Sequence, residues 1–248
     1  MIDACIDGAV ARIVLDRPEA HNALDGAAIA ELLALLEDLG ERDDLRVLVL
    51  TGQGRSFCAG AALGDVAGAD WSDNPLTRLC DALEAFRLPT VAGLNGGVYG
   101  GGVELALACD FRVGVTGMRA FVPPAKLGIH YEPAGMRRAI DRLGSQAARR
   151  MFLLAESFDA EALLAIGFVD RLVPPDALDA AVAGTAATLA GLAPLAVQGM
   201  KRTIVELSRG RLDADAARAR VAACFASADH AEGLAAQRDK RPPRFTGR

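Results

Sequence analysis

The apolar and polar positions of this chain follow two periods. Residues 4–6 and 10–15 are short β-like runs on either side of Asp7-Gly8, and they predict an opening hairpin. From Asp25 the period changes. Ile29, Leu32, Leu33, Leu36 and Leu39 fall on one face of a helix that runs to about Leu39, with Asp25 placed to cap it. Val47-Leu48-Val49-Leu50 is uninterrupted and apolar and ends at Thr51-Gly52, the pattern of a strand buried on both faces. The logic then repeats. Residues 89–94 predict a strand, a glycine-rich turn follows, residues 103–109 predict a helix, and residues 111–115 predict another strand. Strands and helices alternate as far as Val173, which predicts an α/β fold.

The end of the chain differs. Residues 195–207, 213–226 and 228–240 predict helices only, and Gly191 and Pro194 punctuate the change. The expected division is an α/β core over residues 1–190 and a helical region over residues 191–248. The apolar faces of those helices need a partner, either the core or another subunit.

Composition narrows the class. The chain has 248 residues, 52% hydrophobic and 24% charged, enough for one large domain with a small appendage. A formal net charge of -5 argues against a nucleic-acid partner, which needs a basic face. Local basic patches can still hold a small phosphorylated ligand. The N-terminus has neither a signal-peptide nor a transit-peptide pattern, and no stretch of transmembrane length lacks charges or helix breakers. A cytoplasmic protein with no membrane partner is therefore expected. The five cysteines (Cys5, Cys58, Cys80, Cys109, Cys224) are odd in number and lack C-x-x-C spacing, so neither a disulfide framework nor a zinc site is expected. His21 and His230 fit no metal-ligand spacing either.

Two loops carry candidate chemistry. Residues 52–63 leave the end of a buried strand, where ligands bind in open α/β sheets, and the small residues at 59–62 let a ligand approach backbone N–H groups. In Asn95-Gly96-Gly97-Val98-Tyr99-Gly100-Gly101-Gly102-Val103-Glu104-Leu105, three consecutive glycines open a helix whose first N–H groups lack partners. The plain alternatives are a strand-to-helix turn and tight helix–strand packing. The dinucleotide pattern G-x-G-x-x-G is absent. Together the loops can each offer one N–H to the same oxygen, as an oxyanion hole does.

Several segments resemble the crotonase (enoyl-CoA hydratase/isomerase) family in order and spacing. They are Leu15-Asp16-Arg17-Pro18 with Asn22-Ala23-Leu24, Ser56-Phe57-Cys58-Ala59-Gly60-Ala61, and Gly100-Gly101-Gly102-Val103-Glu104-Leu105. Lys126-Leu127-Gly128 and the ending Glu232-Gly233, Lys240-Arg241-Pro242 and Phe245 continue the match, from about residue 12 to residue 245. The resemblance implies a spiral of β-β-α units with a helical C-terminal region that builds a homotrimer, often doubled to a hexamer. It implies an acyl-CoA thioester as substrate, with no separate cofactor, and an oxyanion hole made by the N–H groups of Ala61 and Gly101. Glu19, Ala20, Leu24, Ala59, Ala61, Ala62 and Leu63 would line the CoA path. Lys240 would offer a cation to the CoA phosphates, often across a subunit boundary, or else is a solvated tail charge.

Glu104 matches one of the two glutamates that family hydratases use to add water; the plain alternative is an acid at a helix N-terminus that complements the dipole. The second belongs in a P-E-x-x-L-G segment, and here the chain reads Pro123-Pro124-Ala125-Lys126-Leu127-Gly128. Pro124 cannot exchange a proton, so two-glutamate hydration lacks its second group. Ala62 likewise replaces an aspartate of the family's A-G-x-D pattern. Glu132, eight residues after Pro124, falls where some family isomerases place their carboxylate, and Tyr131 falls where a decarboxylase branch carries a tyrosine. Alternatively, Tyr131 packs and Glu132 is a surface acid beside Arg137 or Arg138. His130 is a further candidate base, although a lone histidine in a loop is usually structural or exposed. Trp71, Ser72 and Asp73 lie in a segment expected to shape the acyl pocket. Isomerisation is the favoured reaction. Hydration with an atypical second group, decarboxylation of a malonyl-type CoA, and non-catalytic acyl-CoA binding stay open.

Overall fold

Strand β1 (Ile2–Asp7) pairs antiparallel with β2 (Val10–Leu15), as the opening pattern predicts. Gly8 takes the turn with φ of 55°, a left-handed conformation that glycine adopts without steric cost. The computed structural model describes residues 2–62 and 74–248. Helix α1 (Gly26–Glu41) starts where Asp25 accepts from the Ala28 N–H, and it buries Ile29, Leu32, Leu36 and Leu39 while Leu33 is half-buried.

Strands β3 (Val47–Gly52), β5 (Thr90–Leu94), β7 (Phe111–Val115) and β10 (Arg171–Val173) extend the first sheet in the order β1-β2-β3-β5-β7-β10, all parallel beyond the hairpin. Every residue of β3 and β5 is buried, which is why both read as continuous apolar runs. A second sheet holds β4 (Ser56–Cys58), β6 (Gly97–Tyr99) and β8 (Arg119–Phe121) in parallel, with β9 (Phe158–Asp159) antiparallel at one edge. The chain alternates between the sheets: β3 then β4, β5 then β6, β7 then β8. Helix α2 (Pro75–Ala85) follows the first pair, and α3 (Gly101–Ala108) the second. Helices α4 (Pro133–Leu143) and α5 (Ser145–Leu153) follow the third. This is the expected spiral of β-β-α units. Hydrophobic pattern alone does not reveal β4, β6 and β8: three residues are too few to display a period, and β4 and β6 lie within or beside glycine-rich turns.

Helix α6 (Ala160–Ala165) leads to β10, and α7 (Leu178–Ala190) packs on the first sheet with Val182 and Ala186 buried. Helices α8 (Pro194–Ser208), α9 (Ala214–Ala226) and α10 (Ala228–Asp239) complete the chain. Their ends agree with the pattern-based expectation within a few residues. Helix α8 is moored to the core by the buried Lys201, whose ammonium donates to the Leu88 carbonyl at 2.8 Å and pairs with Asp110 at 2.7 Å. Met200, Ile204, Leu207, Val221, Phe225 and Leu234 on these helices are exposed. Among the described residues no single helix is long and apolar enough to cross a membrane.

A buried amide helps to hold the connection from β3 to β4. Asn22 is 1% exposed, and its Nδ2 donates to the carbonyls of Gln53 (3.0 Å), Ser56 (2.7 Å) and Phe57 (3.2 Å) while Oδ1 accepts from the Arg17 N–H (2.8 Å). Replacing it with leucine takes this partner from the buried Phe57 carbonyl and from the Arg17 N–H, while the Ser56 carbonyl keeps a bond from Asn95. We predict that Asn22→Leu lowers the free energy of unfolding by about 3 kcal/mol. Urea denaturation with an unchanged m-value checks this, and a loss below about 1 kcal/mol contradicts it.

Candidate active site

After β4 the chain turns at Gly60, with φ of 82°, into Ala61 and Ala62. The Gly60 carbonyl accepts from the Leu24 N–H at 2.8 Å, and the Ala62 N–H donates to the Leu24 carbonyl at 2.9 Å. This parallel bridge uses the peptide groups on either side of Ala61, so the Ala61 N–H points away from Leu24. After β6 the chain turns at Gly100, with φ of 52°, and α3 begins at Gly101. The Gly101 N–H is among the first four of a helix and has no intrahelical acceptor. Among the described residues neither the Ala61 nor the Gly101 N–H makes a hydrogen bond. The two turns meet backbone to backbone. A Cβ on Gly60 would overlap the nitrogen and Cα of Gly101, and one on Gly102 would overlap the Cys58 carbonyl. Only glycine permits this approach.

The turns open on a cavity of about 420 Å³. Ala59, Ala61, Gly101, Glu104, Tyr131 and Glu132 line it, with apolar walls from Leu76, Pro123, Pro124, Leu127 and Ile129. Glu104 stands one turn into α3 and is 3% exposed. Burial pushes its pKa up from 4.5 to about 7, with the Arg138 guanidinium and the Tyr131 hydroxyl pulling the other way. Its Oε1 accepts from Arg138 Nη1 at 2.5 Å. Burial, and then the charge of Glu104, keeps the Tyr131 phenol well above its ordinary pKa. The Tyr131 ring rests on Phe152, with centroids 5.0 Å apart.

Of the residues singled out from sequence, Ala59, Ala61, Gly101, Glu104, Tyr131 and Glu132 thus converge on one cavity. Leu24 is buried behind Ala61. Glu19 and Ala20 lie in the 3-10 turn Pro18–Ala20, Ala62 follows the bridge, and Lys240 is exposed at the C-cap of α10; none of these four lines the cavity. Leu63, Trp71, Ser72 and Asp73 lie outside the described residues. Glu132 pairs with neither Arg137 nor Arg138: its carboxylate has no hydrogen bond or ion pair among the described residues, because both arginines are engaged by Glu84, with Asp141 also on Arg137 and Asp81 and Glu104 also on Arg138. His130 is exposed at the cavity, its Nδ1 2.7 Å from the Tyr131 carbonyl.

Sequence reasoning missed Arg138 as the partner of Glu104, along with Asp81, Glu84 and Gly135. A Cβ on Gly135 would stand 2.5 Å from Tyr131 Cε1 and 2.7 Å from Glu104 Oε2, so this helical glycine is the space in which the two functional groups sit. A glycine inside a helical pattern was the one available signal. The arginine gave none, because 34 residues separate it from Glu104.

Comparison with known proteins agrees with this geometry. The family model for enoyl-CoA hydratase/isomerase matches residues 6–248. The chain is 36% identical over 240 residues to the "Probable enoyl-CoA hydratase echA6" of Mycobacterium tuberculosis, covering 96% of each chain. It is 34% identical over 241 residues to the 2,3-dehydroadipyl-CoA hydratase of Escherichia coli, covering 95% of this chain and 94% of that one. Among solved structures, an enoyl-CoA hydratase/carnithine racemase from Magnetospirillum magneticum superposes with a TM-score of 0.92 at 30% identity, covering 100% of this chain and 96% of that one.

The raised pKa has a stability consequence. Between pH 4.5 and about 7 the folded protein holds a proton on Glu104 that the unfolded chain has released, so this group's contribution falls as pH rises through that window. We predict that between about pH 4.5 and 8 the stability of Glu104→Gln gains about 3 kcal/mol on wild type. Chemical denaturation at each pH measures this, and a gap independent of pH contradicts it.

Proposed function

The chain belongs to the enoyl-CoA hydratase/isomerase family, and on that footing we propose that it is an acyl-CoA enzyme that stabilises a thioester enolate. The observation that carries this reading is the pair of unpartnered N–H groups on Ala61 and Gly101, two residues that line one cavity with a buried carboxylate whose pKa is pushed up to about 7. The thioester carbonyl sits between the two N–H groups. When Cα loses its proton the carbonyl oxygen gains charge, and each preorganised donor lowers that barrier by roughly 3–4 kcal/mol. Glu104 takes the proton. A pKa of about 7 suits a group that must both accept and return a proton at neutral pH. The thioester is itself the substrate, and this chemistry calls for no separate cofactor.

Isomerisation of a 3-enoyl to a 2-enoyl thioester is the reaction the site supports best. It needs carboxylates that reach C2 and C4, and Glu132 lines the same cavity with its carboxylate unpaired. Pro124 stands where the second hydratase glutamate belongs. Decarboxylation fits less well: a malonyl carboxylate would enter beside Glu104 and Glu132, while Arg138 is 0% exposed and already faces Glu104, Asp81 and Glu84. Hydration is the second reading, favoured by the names of the M. tuberculosis and E. coli relatives, with Glu104 and Glu132 flanking a water. The exposed apolar side chains of α8, α9 and α10 are proposed to build the trimer interface of residues 191–248, with Lys240 reaching a neighbour's CoA phosphates.

The test compares kcat/KM for 3-enoyl- and 2-enoyl-CoA. We predict isomerisation faster than hydration, and a loss of about 10²-fold or more in isomerisation for Glu132→Gln. Hydration that outpaces isomerisation overturns the ranking, and isomerisation insensitive to Glu132→Gln removes that residue. Ala61→Pro, which lacks the N–H, is expected to cost about 10²–10³-fold in kcat with the circular dichroism unchanged. Sedimentation at micromolar concentration should give a trimer or hexamer, and a monomer contradicts the interface.

A further inference from the structure

Behind the cavity wall lies a cluster of three arginines and three carboxylates. Arg138, on α4, has no exposed surface in its side chain. It donates from Nη1 to Glu104 Oε1 at 2.5 Å, contacts Asp81 through Nη2, and approaches Glu84 Oε1 through Nε at 3.5 Å. Glu84 is held from the far side by Arg137 at 2.7 Å and by Arg209, just past α8, at 2.6 Å. Glu104 itself stands on a helix with no other charged residue.

The contacts divide the two oxygens of Glu104. Oε1 is committed to Arg138, which does not line the cavity. Oε2 is the oxygen that lies over Gly135 beside the ring of Tyr131, a residue of the cavity wall. A carboxylate on a glutamate side chain is otherwise free to rotate about its last torsion. Arg138 gives Glu104 a single charge-assisted bond, Nη1 to Oε1, and is itself held by Asp81 at Nη2 and by Glu84 beside Nε, so the bond that restrains this torsion comes from a guanidinium fixed on three sides.

We propose that Arg138 is a positioning residue for Glu104: it pins one carboxylate oxygen inside the protein and so presents the other to the acyl group. This rests on the reading of Glu104 as the proton-transfer group. The anchor is in turn set by Asp81 and Glu84 on α2 and by Arg209 beyond α8, so the orientation of the cavity acid is built from three elements packed around it. The charged or titratable groups that act on Glu104 are Arg138, Tyr131 and Glu132 from α4 and the turn before it, and Asp81 and Cys80 from α2; His130 lines the same cavity, and Glu84 acts through Arg138.

The experiment uses the full chain labelled with ¹³C at the glutamate carboxyls. The Glu104 signal is assigned by its absence in Glu104→Gln, and its titration midpoint is read by NMR alongside kcat and KM for a 3-enoyl-CoA. In Arg138→Gln the midpoint is expected to rise by about 1–3 pH units, because the cation that favours the carboxylate is gone. In the same variant kcat is expected to fall about 10²-fold, the scale of a misplaced catalytic group, with KM changed far less. A folded Arg138→Gln with an unchanged kcat overturns the proposal whether or not the midpoint moves, and leaves Arg138 as a charge or as packing. If Arg138→Gln does not fold, Asp81→Asn decides. Asp81 is half exposed and outside the cavity wall, and its loss is expected to lower the midpoint. An unmoved midpoint there also overturns the proposal. Full activity in Glu104→Gln defeats the reading of Glu104 as the base instead, and the titration still reports on Arg138 by itself.

Discussion

The site depends on a contact between two stretches of backbone. Gly60 lies against Gly101 so closely that no side chain on Gly60 fits between them. That approach sets where two peptide N–H groups point, and peptide groups cannot be re-aimed by a rotamer change. The surrounding structure serves to hold it. Strands β4 and β6 are parallel neighbours that deliver the two turns side by side. Asn22 and Asn95 strap the connection leading into β4, the latter donating to Gly54 and Ser56 carbonyls at 2.9 and 3.1 Å. Leu24 bridges the peptide groups on either side of Ala61, a residue of the cavity wall, leaving its N–H turned away from Leu24.

The second determinant is electrostatic, and it is a balance. Burial alone would drive Glu104 to its neutral form, while an adjacent guanidinium alone would hold it ionised at any ordinary pH. Here the two oppose each other and the group comes to rest near pH 7. Arg138 does not overwhelm burial because Asp81 and Glu84 share it. Those acids are answered by Arg137 and Arg209, so the buried cluster is close to neutral as a whole. An uncompensated charge in that position would cost several kcal/mol.

Much of this was legible in the chain, and the illegible part has physical reasons. Asp25 and the leucine spacing after it marked α1, and Val47-Leu48-Val49-Leu50 marked a doubly buried strand, because each pattern is longer than one period. The glycine run marked the second turn, although α3 starts at Gly101 and not at Val103. Family-like motifs named Ala61, Gly101 and Glu104, and the structure brings all three to one wall. The short strands of the second sheet left no pattern. Arg138 left none either, since an arginine on an amphipathic helix reads as a surface charge until the fold closes around it. Gly135 was visible but mute: its meaning lies in what it leaves room for.

Whichever product follows, the proposed step is formation of an enolate in the cavity with Glu104 as the base. Exchange of the α-protons of a saturated acyl-CoA, such as butyryl-CoA, with deuterium oxide reads that step directly by NMR, because a saturated chain allows neither isomerisation nor hydration. Exchange in the wild-type protein is expected well above the uncatalysed rate, and is expected to be lost in Glu104→Gln. Bound butyryl-CoA with no exchange, or exchange that persists undiminished in Glu104→Gln, would contradict the proposed step.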